Sequence, residues 1–266
     1  MGIYAGKTVL VTGSRGIGEA ISKSLFAKGA NVIIVSPSES CEKLAATVQS
    51  ALHAPSISSL LHSRDNKAVA IRSDLSSAPA ATELAAKVVK ASKDLGGHGK
   101  IDYVILCAGI MPMATLDKVD EKTWNHVFAV NVVGPVFLAK ELASHIADEG
   151  RIIFFSSSLT MASSVTPAYL TYVASKGAIE QTVRALSKDP LFVSRGISVT
   201  TLSPGPTATE MFMEGKPDAM LNAIKSANPY GRFGEAEDIA SVVESIIGGG
   251  KWLNGANIRA NGGSFV

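Results

Sequence analysis

Residues Ser156–Glu180 read SSSLTMASSVTPAYLTYVASKGAIE, a run of serines followed by two tyrosines and a lysine. On a helix, residues four apart lie one above the other on the same face. Tyr172 has Lys176 at that spacing, whereas Tyr169 has Val173. Local geometry can therefore hold an ammonium beside only one of the two phenols. A free phenol has a pKa of about 10, and a neighbouring cation favours the phenolate and brings proton exchange nearer the working pH. The pair suits acid/base work at an oxygen that gains or loses charge. Tyr-x-x-x-Lys also falls on ordinary helices, so its meaning depends on the elements that position it.

Those elements alternate. Short β-rich runs at Thr8–Thr12 (TVLVT), Asn31–Val35 (NVIIV), Ala68–Ile71 (AVAI), Ile101–Leu106 (IDYVIL), Arg151–Phe155 (RIIFF) and Ser198–Leu202 (SVTTL) are separated by helical patterns. One pattern runs to Lys28, one lies near Glu39–Leu52, one covers Ala80–Lys93, and a long one covers Glu121–Ile146. Continuous apolar strands between helices predict an α/β fold: a doubly wound, mostly parallel sheet with helices on both faces and right-handed crossovers. Nothing splits the chain, so one domain over residues 1–266 is expected, with a polar insertion at about 53–67. The region 207–232 has weak helical pattern and carries Met211, Phe212, Met213 and Met220. Ordinary core is the plain reading of those residues, and a lid over a substrate pocket is the functional one.

The first strand runs into TGSRGIG, Thr12–Gly18. Glycines at a strand–helix junction let the backbone approach a pyrophosphate, which the helix N-terminus attracts. Gly13, Ser14, Arg15, Gly16, Ile17 and Gly18 are the candidate contacts. The second strand ends in VSPSE, with serine at 36 where an acidic residue would bind a ribose 2′-hydroxyl. Ser36 and Ser38, with Arg15 nearby, favour a 2′-phosphate and hence NADP (NADPH).

Composition narrows the rest. The net charge is +2 with no basic cluster interleaved with aromatics, which gives no support for nucleic acid. Cys41 and Cys107 are too few for a disulfide framework and suit a reducing compartment, so a cytoplasmic setting is expected. No uninterrupted apolar stretch approaches membrane-spanning length, and no membrane association is expected. The five histidines are scattered without ligand spacing, and no metal site is expected.

With strand, glycine turn and Tyr-x-x-x-Lys in that order, the chain resembles the short-chain dehydrogenase/reductase family over nearly its whole length. Thr12-Gly13…Gly16-Ile17-Gly18 resembles the family's cofactor turn. Asp74, followed by Leu75, matches the acidic residue that contacts adenine; Ala108-Gly109 matches the end of the motif after the fourth strand. Asn131 sits where the family has its helix asparagine, and Pro204-Gly205, Thr207 and Thr209 match the segment around the nicotinamide and pyrophosphate. Ser158, fourteen positions before Tyr172 as in fungal hydroxynaphthalene reductases, matches the catalytic serine. Ser156 and Ser157 are its rivals, expected instead to satisfy backbone groups.

The resemblance implies a single-domain Rossmann fold and hydride transfer between NADP(H) and a carbonyl or alcohol carbon of a small, hydrophobic substrate. Tyr172 would be the acid/base and Ser158 a hydrogen-bond donor to the substrate oxygen. Lys176 would tune the phenol and hold the nicotinamide ribose, while Asn131 would anchor a water behind it. Tyr169 becomes a pocket wall or packing residue. A homodimer or homotetramer is implied by analogy. Two departures stand out: the turn is TGxxGxG, one residue shorter than the family's TGxxxGxG, and Cys107 replaces a usual asparagine. The first leaves room for an alternative, a biosynthetic isomerase, dehydratase or cyclase on this scaffold, or a nucleotide-binding protein with weak turnover.

Overall fold

The computed structural model describes residues 3–50, 65–250 and 252–265. Most of the expected insertion at 53–67 lies outside the described residues. Seven strands form one parallel sheet: β1 (Thr8–Thr12), β2 (Asn31–Ser36), β3 (Ala68–Arg72), β4 (Ile101–Leu106), β5 (Ile146–Phe155), β6 (Ser198–Pro204) and β7 (Asn257–Ala260), in the order β3-β2-β1-β4-β5-β6-β7. In β1, Leu10 enters one core, whereas Val9 and Val11 enter the other. That period of two places a buried apolar residue on each face of the sheet.

Helices α1 (Ile17–Ala27) and α2 (Ser40–Ser50) cover one face, joined there by α10 (Ala236–Gly249), whose Ile239, Val243 and Ile246 pack with Ile21 and Leu25. The other face is covered by α3 (Ala78–Asp94), which contributes Leu84 and Val88. Its start is set by Ser77, whose hydroxyl accepts from the Ala80 N–H at 3.2 Å. Each of these large aliphatic side chains stabilises the fold by roughly 1.5–3 kcal/mol through burial.

The sequence pattern over Glu121–Ile146 predicts one long helix. The helix is there, continuous over Glu121–His145, built of α4 (Glu121–Phe128), a wider π turn (Ala129–Val133) and α5 (Gly134–Leu142), and β5 begins at Ile146. The π turn coincides with a contact outside the local sequence: Asn131 within it bonds to the backbone of Ile110 in both directions. These segments pack against α3 and against α6 (Leu170–Leu186). The Met-rich region is more ordered than its pattern suggests: α8 (Glu210–Met213) and α9 (Asp218–Ala227) lie within it. Between α6 and β6 comes the short α7 (Pro190–Val193). Neither α10 nor β7 is among the expected elements, since β7 has only four residues, half of them exposed.

Candidate active site

β1, β4, β5 and β6 end together at one edge of the sheet, where the strand order reverses direction about β1, the usual place for a ligand crevice. A cleft of about 1160 Å³ opens there. It runs from Arg15, Gly16 and Ile17 past Gly109 and Tyr172 to Met220 and Phe265.

At the cofactor end, Gly13 has φ +97°, a conformation that disfavours side chains. A Cβ on Gly18 would stand 2.3 Å from the Gly13 carbonyl oxygen, so the turn closes only with glycine at 18. Helix α1 starts behind Gly16 without a side-chain cap, leaving its first N–H groups for an anion. Within the shorter turn, Gly16 has a positive φ (+53°) and is packed so that a Cβ there would lie 2.9 Å from Thr209 Cγ2. Arg15 pairs with Glu210 at 3.0 Å across the mouth; both are well exposed, so the pair contributes little stability.

At the end of β2, Ser36, Ser38, Ser40 and Ser14 form a chain of hydroxyls. Ser14 meets Ser40 at 2.6 Å, Ser38 meets Ser40 at 2.7 Å, and Ser36 meets Ser38 at 3.3 Å. Asp74 is exposed and accepts from the Ser76 hydroxyl at 2.7 Å. Leu75 is buried in the core, its carbonyl oxygen lying where a Cβ on Gly134 would come within 1.9 Å. The Ala108 N–H donates to Thr12 Oγ1 at 3.1 Å, tying the end of β4 to β1. Pro204, Gly205, Thr207 and Thr209 line the cleft beyond β6, and Thr209 caps α8.

The dyad sits at the cleft floor. Lys176 Nζ lies 5.8 Å from the Tyr172 ring centroid and donates to the Phe155 carbonyl at 2.7 Å. Behind it, Asn131 donates to Ser175 Oγ at 3.0 Å, and Ser175 donates to the Tyr172 carbonyl at 2.7 Å. A Cβ on Gly109 would fall 3.2 Å from Asn131 Oδ1 and 3.3 Å from Lys176 Nζ, so glycine there keeps open the space between them. Tyr169 is buried at the cleft wall.

Ser156 and Ser157 both meet backbone groups, as expected, whereas Ser158 does not lie free at the reacting oxygen. Ser156 donates to the Lys176 carbonyl at 3.2 Å and to Glu180 Oε1 at 2.7 Å, a helix-fastening role. Ser158, expected at the reacting oxygen, is 1% exposed and donates to the Ser203 carbonyl at 2.9 Å. Ser157 is the serine whose hydroxyl lies near enough to the Tyr172 phenol to lower its proton affinity, and it also accepts from the Leu159 N–H at 3.3 Å. The backbone separates the two: Ser157, two residues beyond β5, is extended (φ −154°, ψ 143°) and caps the 3-10 turn that Ser158 opens, while the Ser158 hydroxyl reaches the β6 carbonyl of Ser203.

The proton affinities also depart from the expected tuning. Burial pushes the Tyr172 phenol up to about 12, opposed by the Ser157 hydroxyl beside it. Burial pulls the Lys176 ammonium down to about 8. Desolvation, rather than the neighbouring cation, dominates the phenol. Cys107 lines the same cleft with its thiol pushed up to about 12 by burial, which leaves it protonated and a poor nucleophile.

A sequence-family model described as enoyl-(acyl carrier protein) reductase matches residues 11–264. An NADPH-dependent aldehyde reductase-like protein, chloroplastic, from Arabidopsis thaliana is 32% identical, covering 97% of this chain and 94% of its own. A short chain dehydrogenase/reductase from Aspergillus novofumigatus is 34% identical over 97% and 96%. Among solved structures, an angucycline C-6 ketoreductase with bound NADP superposes with a TM-score of 0.86 at 29% identity, covering 99% of this chain and 97% of that one.

Proposed function

The chain belongs to the short-chain dehydrogenase/reductase family, and from that premise we propose that it is an NADP(H)-dependent reductase of small carbonyl compounds. One observation carries the reading: a tyrosine flanked by a buried lysine, with serine hydroxyls beside it, lies in a cleft continuous with an uncapped glycine turn.

The residues fit a dinucleotide. The turn from Gly13 to Gly18 and the start of α1 would take the pyrophosphate. The serines at 14, 36, 38 and 40 with Arg15 would take the 2′-phosphate, supported by hydroxyls where a carboxylate would repel it. Asp74 and Ala108 would flank the adenine side; Pro204, Gly205, Thr207 and Thr209 would flank the nicotinamide. The bound nucleotide supplies the hydride.

This chain's residues manage the oxygen. As negative charge grows there, Tyr172 donates its phenolic proton, which its raised proton affinity keeps in place until needed. Ser157, in the role expected of Ser158, donates a hydrogen bond that strengthens as that charge develops. Lys176 has one donor on Phe155 and the rest free to hold ribose hydroxyls and re-supply the proton. Asn131 fastens the Ile110 and Ser175 positions and faces the space beside Gly109, where a water would complete the path.

The test is loss of absorbance at the reduced-nicotinamide band against a panel of aromatic and aliphatic ketones. Tyr172→Phe is expected to lower kcat by about 10³-fold with NADPH still bound; wild-type turnover by that variant would end the assignment. NADH is expected to bind more weakly than NADPH. An isomerase, dehydratase or cyclase would instead bind NADPH without consuming it. A homodimer or homotetramer, measurable by light scattering, and a reducing compartment, consistent with the free Cys41 and Cys107, complete the reading.

A further inference from the structure

Besides Lys176, the cleft holds a buried ammonium group that the proton chemistry does not use. Lys216, in the turn between α8 and α9, is only 8% exposed, although lysine is rarely buried without a partner. Its Nζ lies 4.7 Å from the Phe212 ring centroid and 6.0 Å from that of Tyr169. It donates to the Phe212 carbonyl, which occupies one of its three protons. No carboxylate pairs with it among the described residues. Of the acids of its own segment, Glu210 pairs with Arg15, while Glu214, exposed in the same cleft lining, and Asp218, exposed at the start of α9, form no ion pair with it.

An isolated cation out of water is costly until an anion completes it. Two aromatic faces return part of that cost, and burial lowers the lysine's proton affinity accordingly. Met111, Met220, Ile224 and Phe265 give the same cleft an apolar stretch of wall, with Asp120, Lys122 and His126 also in its lining. A charge kept at such a place, in a wall of that kind, is shaped for a ligand that is apolar in its body and negative at one edge. Resting on the carbonyl-reductase reading of this cleft, we propose that Lys216 anchors an anionic oxygen of the substrate, a carboxylate or an ionised phenol, on the Tyr169 side of the reacting carbonyl. The substrate class is then the aromatic keto acids or acidic hydroxy-aromatic ketones, and the lysine selects among ketones that the apolar wall alone would accept alike.

Direct binding to the NADPH-loaded protein tests this by calorimetry, with 1-naphthoate, a nitronaphthol ionised at the assay pH, and the uncharged 1-naphthamide as probes. At least one anion is expected to bind tenfold or more tightly than the amide, and which one distinguishes carboxylate from phenolate. Lys216→Met should cut that preference to under threefold. Lys216→Gln keeps a donor for the Phe212 carbonyl while removing the charge, and should do the same, which separates loss of the anchor from loss of fold. Equal binding of all three probes to the wild type, or a preference that survives both substitutions, would overturn the proposal. Turnover of a neutral aromatic ketone is followed in parallel. Its absence counts against the reductase reading, while the anion preference still decides the anchor.

Discussion

Ser157 and Ser158 are adjacent, yet one hydroxyl lies beside the phenol and lowers its proton affinity while the other is tied to a main-chain carbonyl. Their alanine variants should therefore fail differently. Ser157→Ala is expected to lower kcat by roughly 10²-fold or more, as loss of a donor to developing charge does, with the melting temperature little changed. Ser158→Ala is expected to cost about 1 kcal/mol of stability through its lost buried hydrogen bond, with kcat within about threefold of wild type. Steady-state kinetics beside thermal melts on both proteins decides between them; the reverse pattern restores Ser158 to the role. The dyad also sets a pH profile. Lys176, lowered to about 8, is charged below that pH and neutral above it, while Tyr172 near 12 stays protonated throughout. If the charged lysine is required, kcat/KM for ketone reduction falls tenfold per pH unit above about 8. A flat profile to pH 10 would remove Lys176's charge from the mechanism.

Two elements hold the floor of the cleft in register. The π turn at Ala129–Val133 brings Asn131 to the Ile110 backbone, and α5 then sets off with Gly134 against the main chain at Leu75. An added Cβ would meet the Leu75 carbonyl oxygen at 1.9 Å, so one of the two segments must shift. Gly134→Ala is expected to destabilise the protein by about 1–3 kcal/mol, a melting-temperature drop of roughly 3–10 °C visible by calorimetry. The clash is with backbone, which cannot rotate away as a side chain end could. This contact joins α5 to the connection between β3 and α3 and is invisible to helical periodicity. The uninterrupted pattern from Glu121 onward reads as one helix, and the π turn that carries Asn131's long-range bonds leaves no trace in it. The Met-rich segment fails in the opposite direction: α8 is a single turn, too short for a periodic signal, and depends on the Thr209 cap.

The whole molecule buries two cores on either side of one sheet and leaves its crevice open to a dinucleotide. A ligand that binds only the folded state adds RT ln(1 + [L]/Kd), about 2.7 kcal/mol at a hundredfold excess over Kd. NADPH at that excess is expected to raise the melting temperature by roughly 5–10 °C, and NADH at equal concentration by less; equal shifts would count against the serine cluster as a phosphate site. Short-range spacing was enough for the alternating strands and helices, the glycine turn and the Tyr172–Lys176 face, because strand pleat and helix pitch make these local properties of the chain. Which serine neighbours the phenol, where the π turn falls in the long helix, and that Lys216 has no carboxylate partner among the described residues of the cleft it shares with Tyr172 all depended on contacts between residues far apart in sequence. So did the direction of the phenol's proton affinity: spacing puts a cation one turn away, but burial is a property of everything that surrounds the ring. Periodicity reports what a residue's neighbours along the chain impose, whereas desolvation and hydrogen-bond partners exist only once the chain has closed around the site.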